Sequence, residues 1–248
     1  MEIKTSWIVG GVVLLLALTG GLFWLSAPRD VPVSDEPPAK KVAPTPVAEA
    51  QPAACVPKDK YEVSADDFTI GDAKAPVTIV EFFSQTCSHC AAFHAEVFPQ
   101  LNDKYIKTGL ARLVLRDFQR NKVDLVASVI GRCMGRGSFI KFTDALLEQQ
   151  SVWMGRPDQD VRQGLKDVAL QMGMKADAFE ACMQKEDEAK RLLDATIKAK
   201  NDYCIEGTPT LLINGKKVAD APSVEEFLGM IDAEVKALSA KDAAAPKP

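Results

Sequence analysis

The chain has 248 residues, and 47% of them are hydrophobic, which is ordinary for a globular protein with a sizeable core. The net charge is −4, and the sequence contains no long run of lysine or arginine. This balance argues against a nucleic-acid-binding protein, and the length suffices for one good-sized domain or two small ones.

The first predicted element is an apolar segment that runs from Trp7 to Ser26 without a charged residue. A segment of this length can cross the hydrocarbon core of a bilayer, and a tryptophan lies near each of its ends, where aromatic rings favour the membrane interface. A cleaved signal peptide usually has a shorter apolar run, and Pro28 after Ala27 disfavours cleavage there. We therefore expect residues 1–26 to form an uncleaved transmembrane anchor, with a removed signal peptide as the alternative.

Proline, alanine and valine are abundant in residues 27–60, where no apolar period is present. This composition is typical of an extended, semi-stiff tether between a membrane anchor and a folded domain. Residues 241–248 have a similar composition and are expected to form a disordered tail.

The folded region begins near Tyr61, and its first predicted strand is Val77–Phe83. This strand is apolar and rich in β-branched residues, as is typical of a central strand that is buried on both faces. Apolar residues then recur at every fourth position over Phe93–Tyr105, which predicts a helix that Pro99 should kink. A second apolar strand is predicted over Leu110–Leu115.

A block of helices then separates the predicted strands. From about Lys122 to Lys200 the apolar spacing is helical throughout, and glycines divide it into several helices. The sheet resumes at Thr210–Ile213, and Asn214-Gly215 after it is a strong hairpin signal. A capping box that begins at Ser223 predicts the start of a last helix.

The order of these elements predicts the domain organisation. Strand, helix and strand are followed by helices alone, and then by a hairpin and a final helix. We therefore expect one α/β domain, built from residues 61–120 and 203–240, with an all-helical insertion at residues 121–202.

The chain contains six cysteines, and only Cys87 and Cys90 have the spacing of a redox motif. The others are scattered, which suits structural disulfides in an oxidising compartment. This distribution places the bulk of the chain outside the cytoplasm.

Cys87-Ser88-His89-Cys90 directly follows the predicted central strand and opens the next helix. Backbone N–H groups and the helix dipole stabilise a thiolate at such a position, and the thiolate is the nucleophile of disulfide exchange. His89 can add a positive charge or a hydrogen-bond donor. We expect Cys87 to be the exposed cysteine that attacks or is attacked, and Cys90 to be buried and to resolve the mixed disulfide.

The same two cysteines could instead form half of a zinc site, with His94 as a third ligand. The sequence offers no second Cys-x-x-Cys or histidine pair to complete four ligands, so redox chemistry without a metal or cofactor is the preferred interpretation. His94 is then interpreted as an ordinary helix-face residue. Glu81 has apolar neighbours on both sides, so we expect it to be buried and functional rather than a solvated charge on an edge strand.

The segment Thr78–Cys90 resembles the active-site segment of the DsbA family of thiol:disulfide oxidoreductases, in which Glu81 matches a buried acid near the resolving cysteine. Gly207–Thr210 resembles the cis-proline loop of the thioredoxin superfamily. The resemblance implies a thioredoxin-like fold over about residues 61–240, and the helical insertion fits DsbA-like proteins better than plain thioredoxins.

The resemblance also implies roles for the loop residues. A cis Pro209 would pack beside the cysteine pair, and Thr208 would help to bind the substrate backbone. Ser88 departs from the family, since the typical motif has a proline after its first cysteine. The dipeptide between the cysteines tunes the redox potential, so the family's oxidising strength does not transfer directly.

The function that the resemblance implies is the oxidation of unfolded or reduced secreted polypeptides, with a DsbB-like membrane protein as the reoxidant. The chain would act on the periplasmic side of the bacterial inner membrane, to which its N-terminal helix would anchor it. One alternative is a disulfide isomerase or reductase that uses the same chemistry in another direction. The other is a chaperone-like envelope protein that uses the scaffold without turnover.

The remaining cysteines are interpreted separately. Cys133 and Cys182 lie in two predicted helices of the insertion, and we hypothesise a structural disulfide between them, of a kind that some DsbA-like proteins have. The alternative is two buried free thiols. Cys55, in the predicted tether, and Cys204, before the predicted cis-proline loop, either pair with each other or leave Cys55 free.

Overall fold

The computed structural model describes four ranges of the chain: 55–58, 61–155, 160–218 and 222–244. The predicted anchor, residues 1–26, and all of the predicted tether except 55–58 lie outside these ranges, as do the last four residues of the predicted tail. Within the described ranges, no helix is both long and apolar enough to cross a membrane.

The centre of the fold is a mixed β-sheet. Its strands are β1 (Phe68–Ile70), β2 (Val77–Phe83), β3 (Ala111–Asp117), β4 (Thr210–Ile213) and β5 (Lys216–Lys217). Their spatial order is β1-β3-β2-β4-β5. The predicted central strand β2 is parallel to β3 and antiparallel to β4, so it is paired on both sides.

The two edges of the sheet differ in how well the sequence predicts them. Asn214 and Gly215 both adopt positive φ, at 49° and 84°, as the predicted two-residue hairpin between β4 and β5 requires. The opposite edge strand, β1, is absent from the prediction because three residues are too few to show a period.

The helix after β2 is wider than a regular α-helix over much of its length. It begins as α1 (Ser88–Ala92), opens into a π-helical turn at Phe93–Val97, returns to α2 (Phe98–Leu101), and opens again at Asn102–Ile106. Pro99, where a kink is predicted, lies in α2 between the two wide turns and has no N–H with which to continue the α-helical bonding.

The remaining helices follow the predicted block and the predicted C-terminal helix. They are α3 (Lys122–Cys133), α4 (Arg136–Glu148), α5 (Gln150–Met154), α6 (Val161–Gln171), α7 (Ala176–Cys182), α8 (Glu186–Tyr203) and α9 (Val224–Ala244). The predicted capping box opens α9, because the Ser223 hydroxyl accepts a hydrogen bond from the Glu226 N–H and the Glu226 carboxylate accepts one from the Ser223 N–H. Helix α9 continues into the first four residues of the predicted tail.

Each face of the sheet has its own core, and the insertion has a third. One face of the sheet packs against the helix after β2 and against α9, and the other packs against Ala199 and Tyr203 at the end of α8. The third cluster lies among α3 to α7 around Phe142, Trp153 and Phe179. The described residues therefore form the predicted α/β fold with a helical insertion, and the end of α8 also covers the sheet.

Two disulfides lie away from the redox motif. Cys133 and Cys182 are bonded, as hypothesised, and the bond joins α3 to α7. Cys55 and Cys204 are also bonded, which resolves the pairing that the sequence leaves open. This second bond fixes a residue of the predicted tether to the loop that precedes β4.

Candidate active site

The redox motif lies where β2 ends and α1 begins, with Cys87 as the N-cap residue of the helix. The connecting residues are held by Asp124 of α3, a carboxylate that is 0% exposed. Its Oδ1 atom accepts a hydrogen bond from the Ser84 hydroxyl at 2.8 Å and another from the Thr86 N–H at 2.9 Å. The position of Cys87 is therefore fixed from the strand, the helix and the insertion together.

The structure corrects the prediction that Cys87 is exposed. The residue is only 3% exposed, because the loop before β4 lies over it. In its thiol form, Cys87 donates a hydrogen bond to the carbonyl oxygen of Thr208 at 3.1 Å. The Thr208–Pro209 peptide bond is cis, as predicted.

The contacts of Cys87 stabilise its thiolate. Together they lower the pKa of Cys87 to about 4, and a hydrogen bond from the Cys90 thiol is the largest cause. Burial opposes this effect, and Thr208 together with the backbone N–H groups of Cys90 and His89 adds to it. Cys87 is thus a thiolate at neutral pH in the reduced protein.

Cys90 is in the opposite situation. It is 0% exposed, as predicted, and burial raises its pKa far above the ordinary value of a thiol. The hydrogen bond to Cys87 and the negative charge of Glu81 raise this pKa further. The two cysteines of one helical turn therefore have pKa values that are displaced in opposite directions, as is typical of paired groups with different chemical roles.

Glu81 is 0% exposed in the middle of β2, which confirms its predicted burial. Its Oε2 atom lies 3.0 Å from the Nε2 atom of His94, and the Nδ1 atom of His94 lies 3.3 Å from the Oδ1 atom of Asp144 in α4. The interpretation of His94 as an ordinary helix-face residue is therefore wrong, because its side chain is only 6% exposed and lies between two carboxylates.

The charge of His94 follows from these neighbours. Burial lowers the pKa of the ring, but the Glu81 carboxylate and the contact with Asp144 outweigh burial and raise the pKa to about 10. The ring is thus an imidazolium at neutral pH, and it supplies the cation that a buried carboxylate requires.

A groove with a largely apolar lining runs beside the cysteine motif. His89 lies at its rim, and its side chain is exposed rather than held in the protein. The groove is lined by side chains from the helix after β2, the cis-proline loop and α9, including Phe93, Val97, Pro209, Val224 and Phe227. Within the described ranges, no three His, Cys, Asp or Glu side chains are arranged to hold a metal ion.

The comparisons with known proteins agree with this geometry. The family model described as Thioredoxin matches residues 64–233. A protein of Rickettsia conorii, named as a protein-disulfide oxidoreductase, is 33% identical over 189 residues, which cover 75% of this chain and 67% of that protein. The chain belongs to the DsbA-like thiol:disulfide oxidoreductases of the thioredoxin superfamily.

Two further relatives support this DsbA-like assignment. The crystal structure of Wolbachia pipientis alpha-DsbA1 aligns with a TM-score of 0.67 and 26% identity over 72% of this chain and 96% of that one. A Rickettsia felis protein-disulfide oxidoreductase is 32% identical over 187 residues, or 75% of this chain and 66% of that protein. The chain spans somewhat less than two thirds of the length of several such curated relatives, down to 58%.

The DsbA-like fold brings the predicted site residues together from distant parts of the sequence. The Cys87 sulfur contacts Cys90 and Thr208, and Pro209 follows Thr208 in the same loop. Glu81 is close enough for its charge to act on Cys90. The thioredoxin-like fold with a helical insertion, which the resemblance implied, is confirmed by the match to alpha-DsbA1.

Three residues of the DsbA-like site were not predicted: His94 as a buried partner, Asp144 and Asp124. A signal for His94 was available, since a buried Glu81 needs a cation and His94 lies one helical turn after Cys90. Asp144 and Asp124 carry no comparable signal, because both reach the site from the helical insertion.

Proposed function

We propose that this DsbA-like chain is a dithiol oxidase, which introduces disulfides into secreted or periplasmic proteins by exchange at Cys87 and Cys90. The observation that carries the proposal is the stabilised Cys87 thiolate, whose pKa is lowered to about 4. A stabilised thiolate favours the reduced dithiol form, and a stable reduced form makes the disulfide form a strong oxidant.

The proposed reaction begins with attack by a substrate thiolate on the Cys87 sulfur of the oxidised protein. The bond between the two enzyme sulfurs breaks, and Cys90 receives its electron pair. A second substrate thiolate then attacks the mixed disulfide and releases Cys87 as a stabilised thiolate. Glu81 assists the proton exchange of Cys90 in this proposal, and His89, exposed beside Cys87, favours the approach of a thiolate.

Substrate binding is proposed at the cis-proline loop and the adjoining groove. Thr208 and Pro209 line the groove together with apolar side chains, and this lining suits an extended, unfolded polypeptide rather than a small polar molecule. Within the described residues, the Thr208 hydroxyl is buried without a hydrogen-bond partner. We infer that it becomes satisfied when the Cys87 thiolate or a substrate is present.

The proposed location is the periplasmic side of the bacterial inner membrane. Two observations support it: the uncharged apolar run within residues 1–26, and two disulfides outside the redox motif, which are typical of oxidising compartments. A DsbB-like membrane protein is proposed as the reoxidant, because each turnover leaves the chain reduced.

The direction of exchange is tested by the redox potential of the Cys87–Cys90 pair. The full chain is equilibrated with glutathione buffers, quenched with a thiol-alkylating mass tag and analysed by mass spectrometry of peptides, which separates this pair from the other two disulfides. An oxidase is expected to lie above about −180 mV, the value of a disulfide isomerase. A potential near that of thioredoxin, about −270 mV, would instead identify a reductase.

Two variants test the cysteine roles. Cys87→Ser should abolish oxidation of a reduced model peptide. Cys90→Ser, mixed with a peptide that carries a disulfide, should accumulate a mixed disulfide between Cys87 and the peptide, because no resolving thiol remains to release it. A Cys87→Ser protein that still oxidises the peptide at the wild-type rate would refute the proposed role of Cys87, whereas a wild-type protein that does not oxidise the peptide would favour a binding protein without turnover.

A further inference from the structure

Three ionisable side chains form a continuous row from the sheet to the surface of the insertion. Glu81 in β2 has a side chain that is 0% exposed, His94 in the first π-helical turn is 6% exposed, and Asp144 in α4 is 42% exposed. The contacts along the row are 3.0 Å between Glu81 Oε2 and His94 Nε2, and 3.3 Å between His94 Nδ1 and Asp144 Oδ1. One end of the row is therefore buried and the other reaches solvent.

The row contains most of the unsatisfied buried polar atoms in the described part of the chain. Glu81 Oε1, His94 Nδ1 and Asp144 Oδ1 are three of the five buried side-chain atoms that lack a hydrogen bond there. Buried polar atoms are normally paired, and a group of exceptions in contact with one another calls for an explanation. A path along which protons move provides one, since its members must change hydrogen-bond partners.

The surroundings of His94 keep its ring in place without competing for its nitrogen atoms. The rings of Phe93 and Phe98 lie 5.7 and 5.4 Å from the imidazole. A cavity at the surface is lined by His94, Asp144 and Glu148, so water reaches the outer end of the row. Glu81 from β2 and Asp144 from α4 are the charged groups in contact with the ring among the described residues, and Cys90 lies one turn before it on the same helix.

We propose that His94 and Asp144 conduct the proton that Cys90 takes up and releases during disulfide exchange, with Glu81 between the imidazole and the sulfur. This inference rests on the proposed exchange at Cys87 and Cys90, and it adds an outlet to solvent for a proton that would otherwise be enclosed. Glu81 acts on Cys90 through its charge, and its Oε1 atom is free of other partners within the described structure.

In the oxidising direction, the proposed step moves one electron pair and one proton to Cys90. A bond forms between the substrate sulfur and Cys87 Sγ, the bond between the two enzyme sulfurs breaks, and its electron pair remains on Cys90 Sγ. That sulfur takes one proton from the His94 imidazolium at Nε2 by way of the ionised Glu81 carboxylate, which accepts the proton and passes it on. The neutral ring keeps its proton at Nδ1, and solvent at the Asp144 end of the row supplies the proton that restores the imidazolium. When Cys90 is oxidised again, one proton leaves by the reverse route and restores the starting state.

Asp144→Asn is the informative variant, because it interrupts the row at its exposed end and leaves the buried Glu81–His94 pair intact. Glu148→Gln is the matched control: it removes an equal charge from the same helix and the same cavity. The assay is a single turnover of the oxidised full chain with a reduced peptide, stopped by acid and alkylation. It is repeated at rising concentrations of a small diffusible buffer and at constant ionic strength.

We expect Asp144→Asn to slow formation of the mixed disulfide by about a hundredfold at low buffer concentration, at the lower end of what general acid–base groups contribute. A small buffer should restore the rate, while wild type and Glu148→Gln should show no buffer dependence. Equal rates for all three proteins would overturn the proposal, and so would a slow Asp144→Asn rate that buffer leaves unchanged, which would indicate a structural effect. Absence of exchange in the wild type would refute the proposed function itself.

Discussion

The pair formed by Glu81 and His94 predicts a specific dependence of stability on pH. The pKa of His94 is raised from 6.5 to about 10 in the folded protein. The folded state therefore holds this proton more tightly than the unfolded state does. The resulting stabilisation is fully present below about pH 6.5, and it is lost as the pH rises through about 10. Since each pKa unit corresponds to about 1.4 kcal/mol, the free energy of unfolding should fall by about 5 kcal/mol over this window.

The measurement is urea unfolding of the oxidised protein at a series of pH values across that window. Oxidation matters because the reduced Cys87 thiol, with its lowered pKa, would add a pH dependence of opposite sign. His94→Gln is the matched variant, since an amide can still donate a hydrogen bond to Glu81 but does not titrate. The quantity of interest is the difference in unfolding free energy between wild type and variant. The contributions of lysines and other shared titrating groups cancel in this difference.

The expected result is a wild-type unfolding free energy that falls with a slope approaching about 1.4 kcal/mol per pH unit relative to His94→Gln. If the two proteins instead lose stability in parallel, within about 1 kcal/mol across the window, the imidazolium assignment is refuted. The proposed proton route through Glu81 would then lack its donor as well.

Three further outcomes follow from the structure. Cys90→Ala should raise the pKa of Cys87 by removing its largest stabilising contact, and the pH dependence of the alkylation rate measures this. Asp124→Ala should destabilise the protein by about 3 kcal/mol in urea unfolding, because it leaves three hydrogen-bond donors without their acceptor. Replacing Cys133 and Cys182 together by alanine should lower the free energy of unfolding by up to about 4 kcal/mol, as the closure of a loop of this length predicts. An unchanged unfolding midpoint of Asp124→Ala would contradict the role of this carboxylate as a hydrogen-bond acceptor. An unchanged midpoint of the double cysteine variant would contradict the stabilising disulfide.

The parts of the fold that the sequence predicts are those with a local cause. The central strand Val77–Phe83 is visible as an apolar, β-branched run, and the hairpin at Asn214-Gly215 follows from backbone preferences at those two positions. The edge strand Phe68–Ile70 is not visible, because its pairing with β3 depends on the partner rather than on a pattern within three residues.

The candidate site also has a part with a local cause, which the sequence predicts, and a part that depends on contacts between distant segments. The motif from Cys87 to Cys90 is local, and its position at the start of a helix follows from the strand before it. The covering of Cys87 by Thr208 depends on a contact across 121 residues, so an exposed thiol was the natural but incorrect expectation. Likewise, the contact between His94 and Asp144 and the Cys55–Cys204 disulfide, which joins positions 149 residues apart, depend on how separate elements pack.

The burial of Cys90 explains why an acid–base pair is needed behind the cysteines at all. A thiolate leaves a disulfide more slowly as its pKa rises, and burial raises the pKa of Cys90 strongly. Glu81 as an isolated carboxylate would slow the departure of the Cys90 thiolate further, because its negative charge also raises the pKa of Cys90. The imidazolium of His94 compensates that charge and holds a proton next to the carboxylate. A Cys90 thiolate that is protonated as it leaves no longer has to exist as a buried anion. In the proposed exchange, the departure of Cys90 therefore depends on the charge state of His94, one turn further along the same helix.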